Sequence, residues 1–179
     1  MRRAALGAVG SVLVACASVI VGCAGGGGSG KAGQAQGQGK SSALPLTTGE
    51  GKPYSIAAER GQVVLLDFWA TWCEPCKATL PNAQRLADRL GGKGLRVYAV
   101  NIEADAALAR PFLDSLHVTL PILHDPSGRA AEELGGSNLP FLVLFDRGGT
   151  IRFRQEGAPE GLEEKVAAEV EKLLAEPLP

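Results

Sequence analysis

Phe68-Trp69-Ala70-Thr71-Trp72-Cys73-Glu74-Pro75-Cys76-Lys77 carries the only close cysteine pair in the chain, and it stands where an apolar run gives way to a helical pattern. Upstream, Gln62 to Trp69 reads Gln-Val-Val-Leu-Leu-Asp-Phe-Trp. It is a continuous run of strand length, as expected for a strand buried on both faces. Downstream, Leu80, Ala83, Leu86 or Ala87, and Leu90 recur at helical spacing until Gly91-Gly92, where the helix is expected to stop. Leu95 to Ile102 is a second apolar strand, so the order is β–α–β with a parallel pairing. A CxxC can be half a zinc site, but at a βα junction it reads as a redox pair. This spacing predicts Cys73 at the helix N-terminus, where unpaired N–H groups and the helix dipole favour an anion. Its thiol pKa is then expected to fall and thiolate to form near neutral pH. Pro75 suits the first helical turn, because the N–H it lacks had no partner there.

Further along, Leu108, Phe112 and Leu116 mark another helix, Pro121 to His124 a short strand, and Arg129 to Leu134 a short helix. Phe141 to Asp146 and Thr150 to Gln155 flank Arg147-Gly148-Gly149, a glycine-bearing hairpin turn. Leu162, Val166, Val170 and Leu173 form the apolar stripe of a last helix. Ahead of the site, Leu44 to Thr48 and Lys52 to Ile56 flank Gly49-Glu50-Gly51, which predicts a small hairpin. The sum is an α/β sandwich around one mixed sheet.

The rest of the chain narrows the class. At 179 residues it suits one domain with extras at an end. Eighteen basic residues against nineteen acidic ones leave it nearly neutral, with no basic stripe for nucleic acid and no acidic run. Met1-Arg2-Arg3 followed by an apolar stretch to Gly22 reads as a secretory signal peptide over residues 1–22. Its end, Ile20-Val21-Gly22-Cys23, resembles the lipobox of bacterial lipoproteins, which implies lipidation of Cys23 as the first mature residue. Leu13-Val14-Ala15-Cys16 fits the same pattern, but cleavage there would leave the apolar Ala17 to Gly22 exposed. An uncleaved anchor and an ordinary secretory signal are the other readings. Residues 23–42 then comprise the lipidated cysteine and a Gly, Ser and Gln-rich linker. Such a tether lets a domain at 43–179 wander about 25 Å from the membrane.

The run Phe-Trp-Ala-Thr-Trp-Cys-Glu-Pro-Cys resembles the active-site segment of thioredoxin-like proteins, closest to the membrane-tethered reductase branch typified by ResA and TlpA. The resemblance covers roughly residues 43–175 and extends to distant features. Pro81 lies at the family's helix-kinking position, and Leu139-Pro140 before Phe141 to Asp146 matches its cis-proline loop. It implies a thioredoxin fold: a central mixed sheet flanked by helices, with an N-terminal β-hairpin and a central helix–strand insertion. It also implies that Pro140 is cis and faces the sulfurs, with the Leu139 backbone pairing with an extended substrate. Read from the residues alone, Pro140 is a proline at a strand start. Asp67 matches thioredoxin's buried aspartate, which takes the proton of the resolving cysteine. Inside an apolar run its pKa is expected to rise, unless it points to solvent at the strand's edge. One departure is Thr79, where the branch often has a glutamate.

The expected chemistry is thiol–disulfide exchange. Cys73 attacks a substrate disulfide, and Cys76, helped by Asp67, resolves the mixed disulfide. The redox-active pair itself is the only cofactor, and no metal is expected. Glu74 supplies an acidic group between the cysteines, disfavouring thiolate and pointing to a reductant rather than an oxidase or isomerase. Pro75, Trp72 and Trp69 shape and cover the site, whereas Lys77, His117 and His124 are expected to be bystanders. The family implies a monomer on the extracytoplasmic face of a bacterial envelope, facing the periplasm where there are two membranes. It implies disulfide-bearing protein substrates such as apocytochrome c, and a membrane electron donor of the DsbD/CcdA type. A copper or zinc module is the rival of another class, with only the two histidines left as further ligands. A peroxidase is disfavoured by the CxxC partner.

Overall fold

The structure is a computed structural model and describes residues 44–178. The expected signal segment 1–22, Cys16, the expected lipidation site Cys23 and the expected linker to residue 42 lie outside the described residues.

The strand β2 (Val63–Trp69) forms the centre of the sheet and is buried at all seven positions. Successive strand residues face opposite sides, so a run with no polar alternation must be covered on both. Val63, Leu65 and Trp69 pack into the core under α1 (Cys76–Leu90), α2 (Ala109–Ser115) and α4 (Leu162–Ala175). Val64, Leu66 and Phe68 face a second core, closed by Leu44, Leu46, Tyr54 and Ile56 and by Ala130 of α3 (Arg129–Glu133). The parallel pairing is as expected, with β3 (Leu95–Asn101) aligned to β2 from Val63↔Leu95 to Trp69↔Asn101. Then β4 (Ile122–His124) runs parallel to β3, while β5 (Phe141–Phe145) is antiparallel to β2 and β6 (Ile151–Glu156) antiparallel to β5. With β1 (Thr47–Thr48) on the outer edge, the six strands lie in the order β1-β4-β3-β2-β5-β6. The expected helix–strand insertion is α2 with β4.

Leu80, Ala83, Leu86 and Leu90 of α1 are all buried, and each buried leucine contributes about 1.5–3 kcal/mol. The helix gives way at Gly91-Gly92, but the chain continues through a 3-10 turn (Gly91–Lys93) and reverses at Gly94. Gly94 has a φ of 104°, a backbone region that glycine enters without steric cost.

The N-terminal hairpin is only partly formed. The turn is there: the Gly51 N–H donates to Thr48 O at 2.8 Å and the Thr48 N–H to Lys52 O at 2.8 Å. Yet β1 is two residues long, its strand partner is β4, and its only bridge to the second arm is Thr47↔Pro53. Pro53 lacks the N–H a ladder needs. Beyond it, Ile56–Glu59 coil into a 3-10 helix capped by the Ser55 hydroxyl, which accepts from the Ala57 N–H at 3.2 Å. Among the described residues, no helix is long and apolar enough to cross a membrane.

Candidate active site

Cys73 and Cys76 are joined by a disulfide with their Cα atoms 5.3 Å apart, so the pair is in its oxidised state. Backbone bonds step through the turn: the Cys73 N–H donates to Ala70 O and the Cys76 N–H to Cys73 O, each at 3.1 Å. Regular helix starts at Cys76 with Pro75 as N-cap, so Cys73 sits in the turn leading into α1 rather than in its first turn. Pro75 has a φ of −65°, which the ring imposes and which an entering helix uses. The two sulfur-bearing residues differ in access: Cys73 lines a cleft, while Cys76 is fully buried in the core.

Asp67 lies on the same face of β2 as Leu65 and Trp69, the face covered by α1, and it is fully buried rather than at a solvent edge. Neither of its carboxylate oxygens has a hydrogen-bond partner within normal geometry. Burial pushes its pKa up to about 7, and the Thr79 hydroxyl acts in the opposite direction without offsetting it. Thr79 is buried too, and its own hydroxyl donates to Cys76 O at 3.4 Å, a long bond. The position that often carries glutamate in the reductase branch therefore holds a neutral group that touches the resolving cysteine's backbone. A buried carboxyl with a pKa near neutrality, on the strand face that the dithiol's core covers, can take up and return a proton at physiological pH.

The cleft holds about 510 Å³ and is lined largely by apolar groups: Trp72, Cys73 and Pro75 on one side, Ile102, Ala131 and Leu139 among those opposite. The Leu139–Pro140 peptide is cis. It is Leu139, however, that lines the cleft, while Pro140 is buried. Trp72 is 68% exposed at the rim. Trp69 is wholly buried and stacks on Phe112 with ring centroids 5.2 Å apart, so it supports the site from behind. Glu74 is not a free charge: Lys77 donates to it at 2.6 Å, and both side chains are exposed. An exposed pair of this kind is weak, so Lys77 remains a solvated helix residue, and the pairing dilutes the influence of Glu74 on the sulfurs. His117 is exposed and leaves α2 with a φ of 55°, and His124 is buried with its pKa lowered by that burial.

Two carboxylates that the sequence did not single out fix the loops on either side. Glu103 accepts from the Thr71 N–H at 2.8 Å, the Thr71 hydroxyl at 2.7 Å and the Asn101 side-chain amide at 3.1 Å. Burial raises its pKa, but these donors outweigh burial and leave it below the ordinary glutamate value. Glu156, at the end of β6, takes the backbone N–H groups of Ser137 and Asn138. Gly136 packs so closely on Phe141 that a Cβ there would fall 2.4 Å from the ring, so the cleft floor needs glycine at this point. The glycine pair Gly135-Gly136 close to Pro140 was the one local signal of this part of the site.

Comparison with known proteins agrees with the geometry. A profile of the Redoxin family matches residues 31–170, most of the chain. The chain belongs to the Redoxin family. The thiol-disulfide oxidoreductase ResA of Oceanobacillus iheyensis is 33% identical over 98 residues, 55% of this chain and 51% of that protein. The thioredoxin-like protein YneN of Bacillus subtilis strain 168 is 36% identical over 110 residues, 60% of this chain and 64% of that protein. The chain thus spans between half and just under two thirds of the length of these relatives. Among solved structures, a candidate thiol:disulfide interchange protein DsbE from Chlorobium tepidum superposes with a TM-score of 0.72 at 27% identity, over 79% of this chain and all of that one. This Redoxin family chain has the thioredoxin-like fold that the site segment resembled, and it is similar to the ResA type.

Proposed function

We propose that the protein is a thiol–disulfide oxidoreductase of the cell envelope that reduces disulfides in extracytoplasmic proteins. The observation that carries this reading is the asymmetry of the pair: Cys73 lines an open apolar cleft, and Cys76 is fully buried in the core that covers the Asp67 face of β2. A substrate sulfur can reach only the first. In the reduced protein the Cys73 thiolate attacks the substrate disulfide, forming a Cys73–substrate disulfide and expelling one substrate thiolate, which takes a proton. Cys76 passes its proton to Asp67 and attacks Cys73 Sγ, closing the Cys73–Cys76 bond and expelling the second substrate thiolate, which takes a proton from water as Asp67 gives its own back to water. Two electrons leave the pair, so a dithiol donor must return them, and a membrane protein of the DsbD/CcdA type fits an envelope location. The two thiols carry the electrons and no further cofactor enters the scheme. ResA and DsbE, named as oxidoreductase and interchange protein, support this reading of the site.

Direction is tested by the reduction potential of the Cys73–Cys76 pair, equilibrated against glutathione or dithiothreitol buffers. The expected value is near thioredoxin's, about −270 mV. A value near about −120 mV, as in DsbA, would make the protein an oxidant and overturn the reductant reading. The geometry favours no substrate in particular, and apocytochrome c enters only through the family resemblance.

The lipid anchor belongs to the same proposal. Cys23 follows an apolar segment and precedes a glycine run, which suits a lipidated first residue. A single anchor of this kind contributes about 0.8 kcal/mol per buried methylene. Full-length protein is expected in the membrane fraction, and Cys23→Ala is expected to move it to the soluble fraction. If Cys16→Ala does so instead, the earlier site is the lipidated one.

A further inference from the structure

We propose that Glu156 is a positioning residue for substrate, holding the Ser137–Leu139 segment in the shape that receives the polypeptide around a target disulfide. This rests on the proposed function. The segment links α3 to β5, and it is short and exposed at Ser137 and Asn138. Backbone groups in such a stretch are normally left to water. Here one carboxylate gathers them. Oε1 accepts from the Ser137 N–H, from the Ser137 hydroxyl at 3.0 Å and from the Asn138 N–H at 3.2 Å. Oε2 faces the Asn138 side-chain amide at 3.5 Å, and that amide also donates to the Ser137 hydroxyl at 3.0 Å. Three donors on one oxygen make a charge-assisted cluster, stronger than neutral bonds of the same number.

The carboxylate is itself held from a rigid element. Glu156 is the last residue of β6, in register with Phe141, and the next N–H, of Gly157, donates to Pro140 O at 2.8 Å. The sheet therefore fixes both the cis peptide and the acid that reaches past it to the preceding residues. The contacts end at Asn138, one residue before Leu139, and Leu139 lines the cleft together with Cys73. Ser137 and Asn138 belong to the same lining. Loss of the carboxylate frees the two amides next to the residue that meets substrate, while the cysteines and Asp67 lie on other elements. The effect should fall on binding rather than on sulfur chemistry.

The test compares Glu156→Ala and Glu156→Gln with the wild type. Insulin serves as the disulfide probe, and amide hydrogen exchange reports on residues 136–139. Glu156→Ala is expected to raise KM for insulin about tenfold, with kcat within about twofold, the scale of one lost charge-assisted bond. Exchange at Ser137 and Asn138 should accelerate by at least about tenfold. The Cys73–Cys76 reduction potential and the alkylation rate of reduced Cys73 should not change. Glu156→Gln keeps an acceptor oxygen for the two amides and should recover most of the KM. Unchanged KM in the alanine variant overturns the proposal, as does a shifted potential, which would mark general damage. A wild type that reduces no disulfide instead defeats the proposed function; the exchange comparison then decides alone whether Glu156 holds the segment, and unchanged exchange overturns that as well.

Discussion

The expected result of replacing Cys73 with Ser is loss of insulin-disulfide reduction down to the uncatalysed rate, with the fold intact. Cys73 is only 4% exposed, but what it exposes is in the cleft, so its sulfur is the one a substrate meets. A serine hydroxyl in the same place forms no appreciable anion at neutral pH and cannot exchange with a disulfide, so the first step disappears. Cys76→Ser tells the other half. The first attack survives, the resolving thiol is gone, and a covalent Cys73–substrate adduct should accumulate in stoichiometric amount, visible by mass and dispersed by dithiothreitol. Turnover retained in Cys73→Ser would end the mechanism. Trapping by the Cys73 variant instead of the Cys76 variant would exchange the roles of the two cysteines and contradict the burial difference.

Asp67→Asn has the second-largest expected effect, and it acts on rate and stability in opposite directions. Asp67 is wholly buried with no hydrogen-bond partner of normal geometry, and burial, only partly opposed by the Thr79 hydroxyl, holds its pKa at about 7 against an ordinary 3.8. As the proton acceptor for Cys76, it should give release of the reduced product a rise with pH centred near 7. The asparagine variant should lose that inflection and resolve the mixed disulfide on the order of 100-fold more slowly at neutral pH, at the modest end of proton-transfer catalysis. The linkage has a definite sign. Below the unfolded-state pKa, Asp67 is protonated in both states and costs nothing. As pH climbs towards the folded-state value, the unfolded chain gives up its proton while the native one retains it, so native stability falls. Above about 7 the full penalty is present, up to about 4 kcal/mol. In the oxidised protein, where the cysteines do not titrate, the stability difference between Asp67→Asn and wild type should therefore grow between pH 4 and pH 8 in favour of the variant. Denaturant unfolding at the two pH values measures it. A pH-independent difference would mean that Asp67 titrates normally and is no proton store.

Both experiments ask for features that were legible in different degrees. The central strand ending at Trp69 and the helical stripe from Leu80 to Leu90 were legible in the pattern, because a strand buried on both faces must be apolar throughout and a helix on one face must repeat at 3.6, whereas the start of α1 at Cys76 rather than at Cys73 was not. The apolar run made a buried Asp67 one of two readings, and only the packing of α1 over that face of β2 excludes the solvent-facing one. The hairpin at residues 44–56 was read from its glycine turn, and the turn exists. Its partner strand could not be read, because β1 finds its ladder in β4, almost 80 residues away, and Pro53 has no N–H to offer.

The sequence by itself determined the redox pair, the strand and helix that flank it, and the order of elements that makes an α/β fold. All of these rest on local spacing. Only the tertiary structure decided the cleft, because Ile102, Ala131 and Leu139 come from three segments that the sheet order brings opposite Trp72 and Cys73. The same holds for the acids at its margins. Glu103 and Glu156 look like surface residues in a sequence, and what distinguishes them is the set of backbone N–H groups the fold aims at their oxygens. Hydrophobic period is written along the chain, whereas the partner of a polar group is chosen by whichever elements the packed core sets side by side.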